Sequence, residues 1–255
     1  MRLATTNTIV SGAVTSDDNS QFDIADVLPF TFDANYTSLG VSTTFSANFV
    51  AGDNFTYVGI AGHNIGTLGA TITIGNHGVN DVVSFAPIDD RPLMFIVPAR
   101  TGGANDLTIT VTKGASQQVI ISHIAAGTET DLTGTSTSGQ SISSDYQSGY
   151  NRVPMHVSRR LRSAINDAGA PTATLIKTVG TKMRLSINNI PTPFASTQLL
   201  TFQKFWVFNG FFIQNDEDTN QSYLAFDFIP SPPKAHGSTR ELVNIRYTFM
   251  AHNGQ

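Results

Sequence analysis

Residues 55–75 read FTYVGIAGHNIGTLGATITIG, and the fold follows from how this stretch divides. Phe55, Tyr57 and Ile60 carry a first apolar run. Thr71, Ile72, Thr73 and Ile74 then alternate strictly, the period of a half-buried strand. Between the two runs stand Gly59, Gly62, His63, Asn64, Gly66 and Gly69. Glycine at this density marks a backbone that takes positive φ or passes close to another segment. The reading is strand, glycine corner, strand.

The same grammar repeats from residue 43 to residue 132. Strands are expected at 44–49, 55–60, 70–75, 82–85, 93–97, 107–111 and 119–124, with turns such as Ala51-Gly52-Asp53-Asn54 between them. The run LMFIV at 93–97, between Pro92 and Pro98, has no polar alternation, as a strand buried on both faces would. Short strands at this spacing indicate a sandwich or jelly roll.

The flanks read differently. Residues 1–40 are expected to form an irregular arm on the first domain, with a short strand at Thr8-Ile9-Val10 and aromatic anchors such as Phe22, Phe30 and Phe32. Residues 126–149 hold almost no large apolar side chain, so 131–149 is read as a Ser/Thr/Gly-rich linker. The domain reading is therefore an arm (1–40), a jelly roll (41–130), the linker, and a second β-sandwich (150–255). In that second part a hairpin is expected around Asn166-Asp167-Ala168-Gly169-Ala170, then a turn at Gly180-Thr181. Residues 199–213 start with helical spacing (Leu199, Phe202, Phe205, Trp206), but their aromatics favour a bent strand. Residues 242–250 alternate cleanly, with Val243, Ile245, Tyr247 and Phe249 on one face. The whole is all-β.

Composition narrows the function. Charged residues make up 13% of the 255, well below the ~25% of an average soluble domain. Cysteine is absent, which rules out disulfides and thiolate metal sites. No run has the length of a membrane span and the first residues have no apolar signal core, so synthesis in a cytoplasm without a signal peptide is expected. Charge is polarised: up to Asp145 four Lys and Arg stand against thirteen Asp and Glu, and after it eleven stand against six. Such polarity suits contact between unlike faces of neighbouring copies. Arg159, Arg160 and Arg162 cluster without interleaved aromatics, so direct nucleic-acid binding is not expected.

No catalytic pattern emerges. His63 has no orienting carboxylate at short spacing, the other histidines lack metal-ligand spacing, and the His63-Asn64 pair reads as a turn closed by backbone hydrogen bonds. The glycines are not followed by a phosphate-loop Lys-Ser/Thr, and no GxSxG elbow occurs. Residues 215–220, NDEDTN, offer oxygen ligands but lack the central glycine and distal glutamate of a calcium loop, so they read as a solvated hairpin tip. No enzyme activity, cofactor or metal is expected. Phe205, Trp206, Phe208, Phe211 and Phe212, with the three arginines, are the candidate subunit contacts.

The stretch YVGIAGHNIG at 57–66 resembles one familiar in structural proteins of tailed bacteriophages, where an apolar strand enters an AGHN-(Leu/Ile)-Gly corner and a threonine-rich strand leaves it. The surrounding array is similar to a galactose-binding-like jelly roll, and the Phe211-Phe212 pair and the 242–250 strand echo the second β-rich segment of such proteins. The resemblance implies a virion component of the tail or its adhesion apparatus, with copies of itself and other virion proteins as partners. A carbohydrate-binding host-recognition module of a fibre, taking a host-surface glycan, and a capsid decoration protein are the alternatives.

Overall fold

A computed structural model of the protein describes residues 2–16, 36–38, 43–51, 55–76, 79–98, 106–131, 141–146, 158–165, 171–200, 202–203, 210–214, 219, 222–230, 234–236 and 242–252. The strands in its first part are β1 (Arg2–Ala4), β2 (Ile9–Ser16), β3 (Tyr36–Thr37), β4 (Thr44–Ala51), β5 (Tyr57–Ala61), β6 (Thr71–Asn76) and β7 (Val79–Phe85). They continue as β8 (Leu93–Ile96), β9 (Asp106–Thr112), β10 (Ile120–Ile121), β11 (His123–Gly127), β12 (Glu129–Asp131) and β13 (Ser141–Tyr146). The last group is β14 (Ser158–Ile165), β15 (Pro171–Pro191), β16 (Phe211–Gln214), β17 (Ser222–Pro230), β18 (Lys234–His236) and β19 (Leu242–His252). The protein is all-β, and its sheets form a jelly roll extended by a second sheet system.

A five-stranded sheet, β2-β4-β9-β6-β7, faces a three-stranded sheet, β11-β5-β8. The alternation predicted for these strands decides what fills the gap. Phe45, Ala47 and Phe49 of β4, Leu107, Ile109 and Val111 of β9, and Ile72 and Ile74 of β6 point inward. Across from them lie Val58 and Ile60, Leu93 and Phe95, and Ile124 and Ala126. On the outer face, Ser46 and Thr110 share a hydrogen bond (3.0 Å), and Thr108 donates to the Asn48 side chain (2.9 Å).

The three-stranded sheet has no solvent face. The alternate residues Tyr57, Ala61, Met94 and Ala125 belong to a second core cluster with Phe212, Leu224 and their neighbours from the C-terminal part of the chain. Here LMFIV finds its reason: Leu93 and Phe95 enter one core, Met94 and Ile96 the other. The second cluster is built on a nine-stranded sheet ordered β12-β1-β16-β17-β19-β15-β13, with β14 on β15 and β18 on β19. Its far face is covered by a helical stretch, Thr192–Phe194 continuing through Ala195–Leu199, whose Ala195, Leu199 and Phe202 complete the core. Phe202 meets the Phe211 ring edge-on, with centroids 5.0 Å apart.

Several sequence expectations change here. Residues 1–40 do not form one irregular arm: β1 enters the C-terminal sheet between β12 and β16, and β2 pairs with β4 of the jelly roll. Between them Thr5, Thr6 and Thr8 bond the backbone of Thr128 and Ala126, so residues 2–16 run across the nine-, three- and five-stranded sheets. The aromatic anchors expected at 22–32 lie outside the described residues. The expected linker contains β13, paired along β15 from Ser141↔Asn188 to Tyr146↔Met183, because Ser and Thr suit a strand with a ready partner. Gly180-Thr181 makes no turn, since β15 runs unbroken through it. Residues 192–200 and 202–203 keep a helical spacing: Leu199 and Phe202 are buried, and Pro193 sits in the first turn, where its missing N–H costs nothing.

Candidate functional site

The candidate corner residues Gly59, Gly62, His63, Asn64 and Gly66 come together where β5 ends. Gly59 is inside β5, and its requirement is space: a Cβ there would lie 2.4 Å from ring carbons of Phe212. Gly62 turns the chain with φ of 61°, in the left-handed region that favours glycine. Gly66 backs onto residue 89, where an added Cβ would sit 2.2 Å from the Asp89 carbonyl oxygen.

His63 is buried, 5% exposed, and both ring nitrogens are engaged. Nδ1 accepts from the Ile65 N–H (3.3 Å), which makes Nε2 the protonated nitrogen that donates to the Arg91 carbonyl (2.7 Å). Burial pushes its pKa below the ordinary value, against the raising effects of the Arg91 carbonyl and of Asp90 and Asp89. The ring is held neutral, in one tautomer, between two backbone groups.

Asn64 ties the corner to the strand entering β10. Its Nδ2 donates to the Gln118 carbonyl (2.8 Å) and its Oδ1 accepts from the Ile120 N–H (2.9 Å). Asp90 accepts from the Thr67 N–H (2.8 Å) and from the Thr67 hydroxyl. Asp89 accepts from the Arg91 N–H (3.1 Å) and pairs with the Arg91 guanidinium (2.7 Å). The Ser122 N–H and hydroxyl both reach the Gly62 carbonyl at 3.1 Å. Three segments, at 62–70, 89–91 and 118–122, are thus locked by side chains bonding to main chain. Asp90 and the Arg91 carbonyl find their partners, Thr67 and His63, more than twenty residues away in sequence, where no local spacing signals them.

The other candidates separate. Phe211 and Phe212 are each 1% exposed inside the chain's own core, so they lack the outward surface that a subunit contact requires. Phe212 stacks parallel to His123, with centroids 5.9 Å apart, and lies 6.5 Å from the Tyr57 ring. Phe205, Trp206 and Phe208 lie outside the described residues. Arg159, Arg160 and Arg162 occupy β14.

A second polar cluster had no signal in the sequence. Asp131, Arg2, Gln214 and Ser222 are aligned in register across β12, β1, β16 and β17. Arg2 pairs with Glu129 (3.1 Å) and Asp131 (3.5 Å), while burial raises the Glu129 pKa against the lowering effect of Arg2. Gln214 Nε2 donates to the Met94 carbonyl (2.7 Å), joining the large sheet to β8. Its Oε1 and the Ser222 hydroxyl are buried with no protein partner among the described residues. Among those residues no group of three or more His, Asp or Glu is placed to hold a metal ion.

No protein-family model matches the chain, and no curated protein matches its sequence. Solved structures give loose likenesses. A structure described as the CBM32 of AlyQ in complex with 4,5-unsaturated mannuronic acid is 14% identical at a TM-score of 0.37, over 47% of this chain and 95% of that one. CBM32-1 from a family 31 glycoside hydrolase of Clostridium perfringens is 11% identical at 0.34, over 48% and 98%. A Ruminococcus gnavus GH29 fucosidase in complex with fucose is 15% identical at 0.36, over 44% of this chain and 23% of its own. The chain thus spans under a quarter of the fucosidase. Likeness this loose carries no ligand or activity across, and the fold stands on its own strand order.

Proposed function

We propose that this chain is a non-enzymatic structural module that works through protein–protein contacts in a symmetric assembly, as a component of a tailed-phage virion in the tail or its adhesion apparatus. The observation that carries the non-catalytic half is the corner itself. Among the described residues, the gathering of His, Asn, Asp and Arg at the corner holds neighbouring backbone in place, and His63 has no nitrogen left for a substrate. The assembly half is supported by the polarised charge and the phage-like AGHN corner. The test is sedimentation of the purified chain together with mass spectrometry of purified particles. A defined oligomer and a fixed copy number per particle are expected; a monomer at every concentration, absent from particles, would overturn the reading.

The second reading is a carbohydrate-binding host-recognition module. It agrees with the names of the similar structures, and the rim of the corner offers an exposed apolar side chain, Ile88, beside Asp89 and Asp90. Fold does not set function, so a glycan array decides it. Binding abolished by Ile88→Ala and Asp90→Ala would promote this reading over the first.

A further inference from the structure

β15 is 21 residues long, but the nine-stranded sheet uses only half of it. Its pairing with β19 runs from Thr181↔Ala251 to Pro191↔Leu242, and β13 covers Met183 to Asn188. Residues 171–180 pair with β14 alone, from Ser158↔Gly180 to Ile165↔Pro171. The two strands therefore form a two-stranded ribbon that runs on from the sheet for ten residues of β15, about 33 Å at ~3.3 Å per residue. A step in register between Arg160 and Leu161 skips Lys177, placing a bulge midway along the ribbon.

Two properties set this ribbon apart. A lone pair of strands is marginal in water and gains its stability from a third surface. It is also uniformly basic: Arg159, Arg160, Arg162 and Lys177 lie on its two strands with no Asp or Glu. The rest of the chain supplies the complement, because the residues up to Asp145 carry an excess of nine negative charges. Within the described residues, the ribbon's strands pair only with each other and lead away from β19.

We infer that the β14–β15 ribbon is an assembly arm that docks on the acidic part of a second copy of this chain, within the residues up to Asp145. The inference rests on the assembly reading above and names its contact. A second copy is favoured because the complementary charge is in the same sequence and the ribbon lacks the interleaved aromatics of a nucleic-acid platform. Contact between unlike surfaces is heterologous, so it closes into a ring if the rotation allows.

The test compares the full chain with an Arg159→Glu/Arg160→Glu/Arg162→Glu variant by sedimentation velocity at about 50 mM and about 500 mM salt, on either side of strong screening. The wild type is expected to associate at low salt and loosen at high salt, and the variant to associate at least about tenfold more weakly. Matching thermal transitions would show that the variant keeps its fold. Because the chain has no cysteine, Thr174→Cys gives a single attachment point for a maleimide photo-crosslinker on the ribbon. With isotope-labelled and unlabelled copies mixed, crosslinks are expected between copies and into residues up to 145. An unchanged oligomer in the arginine variant, or crosslinks confined to one copy, would overturn the arm and leave the assembly reading standing. A wild type monomeric in both salts would overturn both. A DNA duplex captured by the wild type and lost in the variant would assign the ribbon to nucleic acid and overturn the inference.

Discussion

Gly59 and Gly69 belong to the same glycine-rich stretch but answer to different physics, and substitution separates them. A methyl at Gly59 lands inside the Phe212 ring, so Gly59→Ala should cost about 1–3 kcal/mol through overpacking between the two sheets. At Gly69 no atom lies within 4 Å of an added Cβ, and the cost is that of φ near 59° alone, about 1 kcal/mol. Urea denaturation of both variants checks the order. His63 makes a prediction in pH. Its pKa in the fold is depressed below the ordinary value of about 6.5, so the unfolded chain takes up a proton that the native ring refuses. The stabilisation is fully present above that value and declines as pH falls through it toward the lower folded pKa. His63→Ala should remove this slope and also destabilise at neutral pH by about 2–4 kcal/mol, from an orphaned Arg91 carbonyl and a cavity. Unfolding midpoints from pH 8 down to pH 5 measure both effects; an unchanged slope in the variant would remove His63 as its source. Tyr247 is set apart from ordinary tyrosines as well, its hydroxyl pushed up to about 12 by burial despite the donor from Gln203.

Strands with a clean period were legible in the sequence because their burial is set by two faces close at hand. β19 shows it: Val243, Ile245, Tyr247 and Phe249 are buried while Arg246 between them is exposed. The glycine corner was legible because Gly62 and Gly69 answer to their own backbone, with φ of 61° and 59°, whereas the Arg91, Gln118 and Ile120 partners of His63 and Asn64 were not. What escaped was set by distant partners. β1 is three residues long and becomes a strand only because β12 and β16 flank it, more than a hundred residues away. Its length carries no period to read. The structure assigns β1 real weight: Leu3 is fully buried, so Leu3→Ala should cost about 2–5 kcal/mol. Hydrogen exchange should rise first at Phe211–Gln214 and Glu129–Asp131, the strands β1 holds. The row beside it predicts an asymmetry. Gln214→Ala strips the donor from the buried Met94 carbonyl and should cost about 1–3 kcal/mol, whereas Ser222→Ala removes a buried hydroxyl with no partner among the described residues and should be neutral or stabilising. Equal losses at the two positions would show that Ser222 has a partner beyond the described residues.

At the scale of the whole molecule the three-stranded sheet joins the two halves, because both cores are built on it. Val58, Ile60 and Phe95 look into the jelly roll, and Tyr57, Met94 and Ala125 look into the C-terminal sheet. Two bodies joined by a linker would each keep a core of its own, and a fragment spanning 41–130 would fold alone. With a shared layer, that fragment would expose Tyr57, Ala61, Met94 and Ala125 to water and would lack β2, the partner of β4. Burying each large apolar side chain contributes about 1.5–3 kcal/mol, so this loss rivals the whole stability of a domain. The intact chain should therefore unfold as one cooperative unit. Trp206, the only tryptophan, reports the C-terminal part, while far-ultraviolet dichroism reports all strands. Coincident urea transitions by both probes, with an aggregated or unfolded 41–130 fragment, are the expected result. Two separated transitions and a soluble, folded fragment would show that the cores are independent and that the seam at Phe212 is a docking surface between domains.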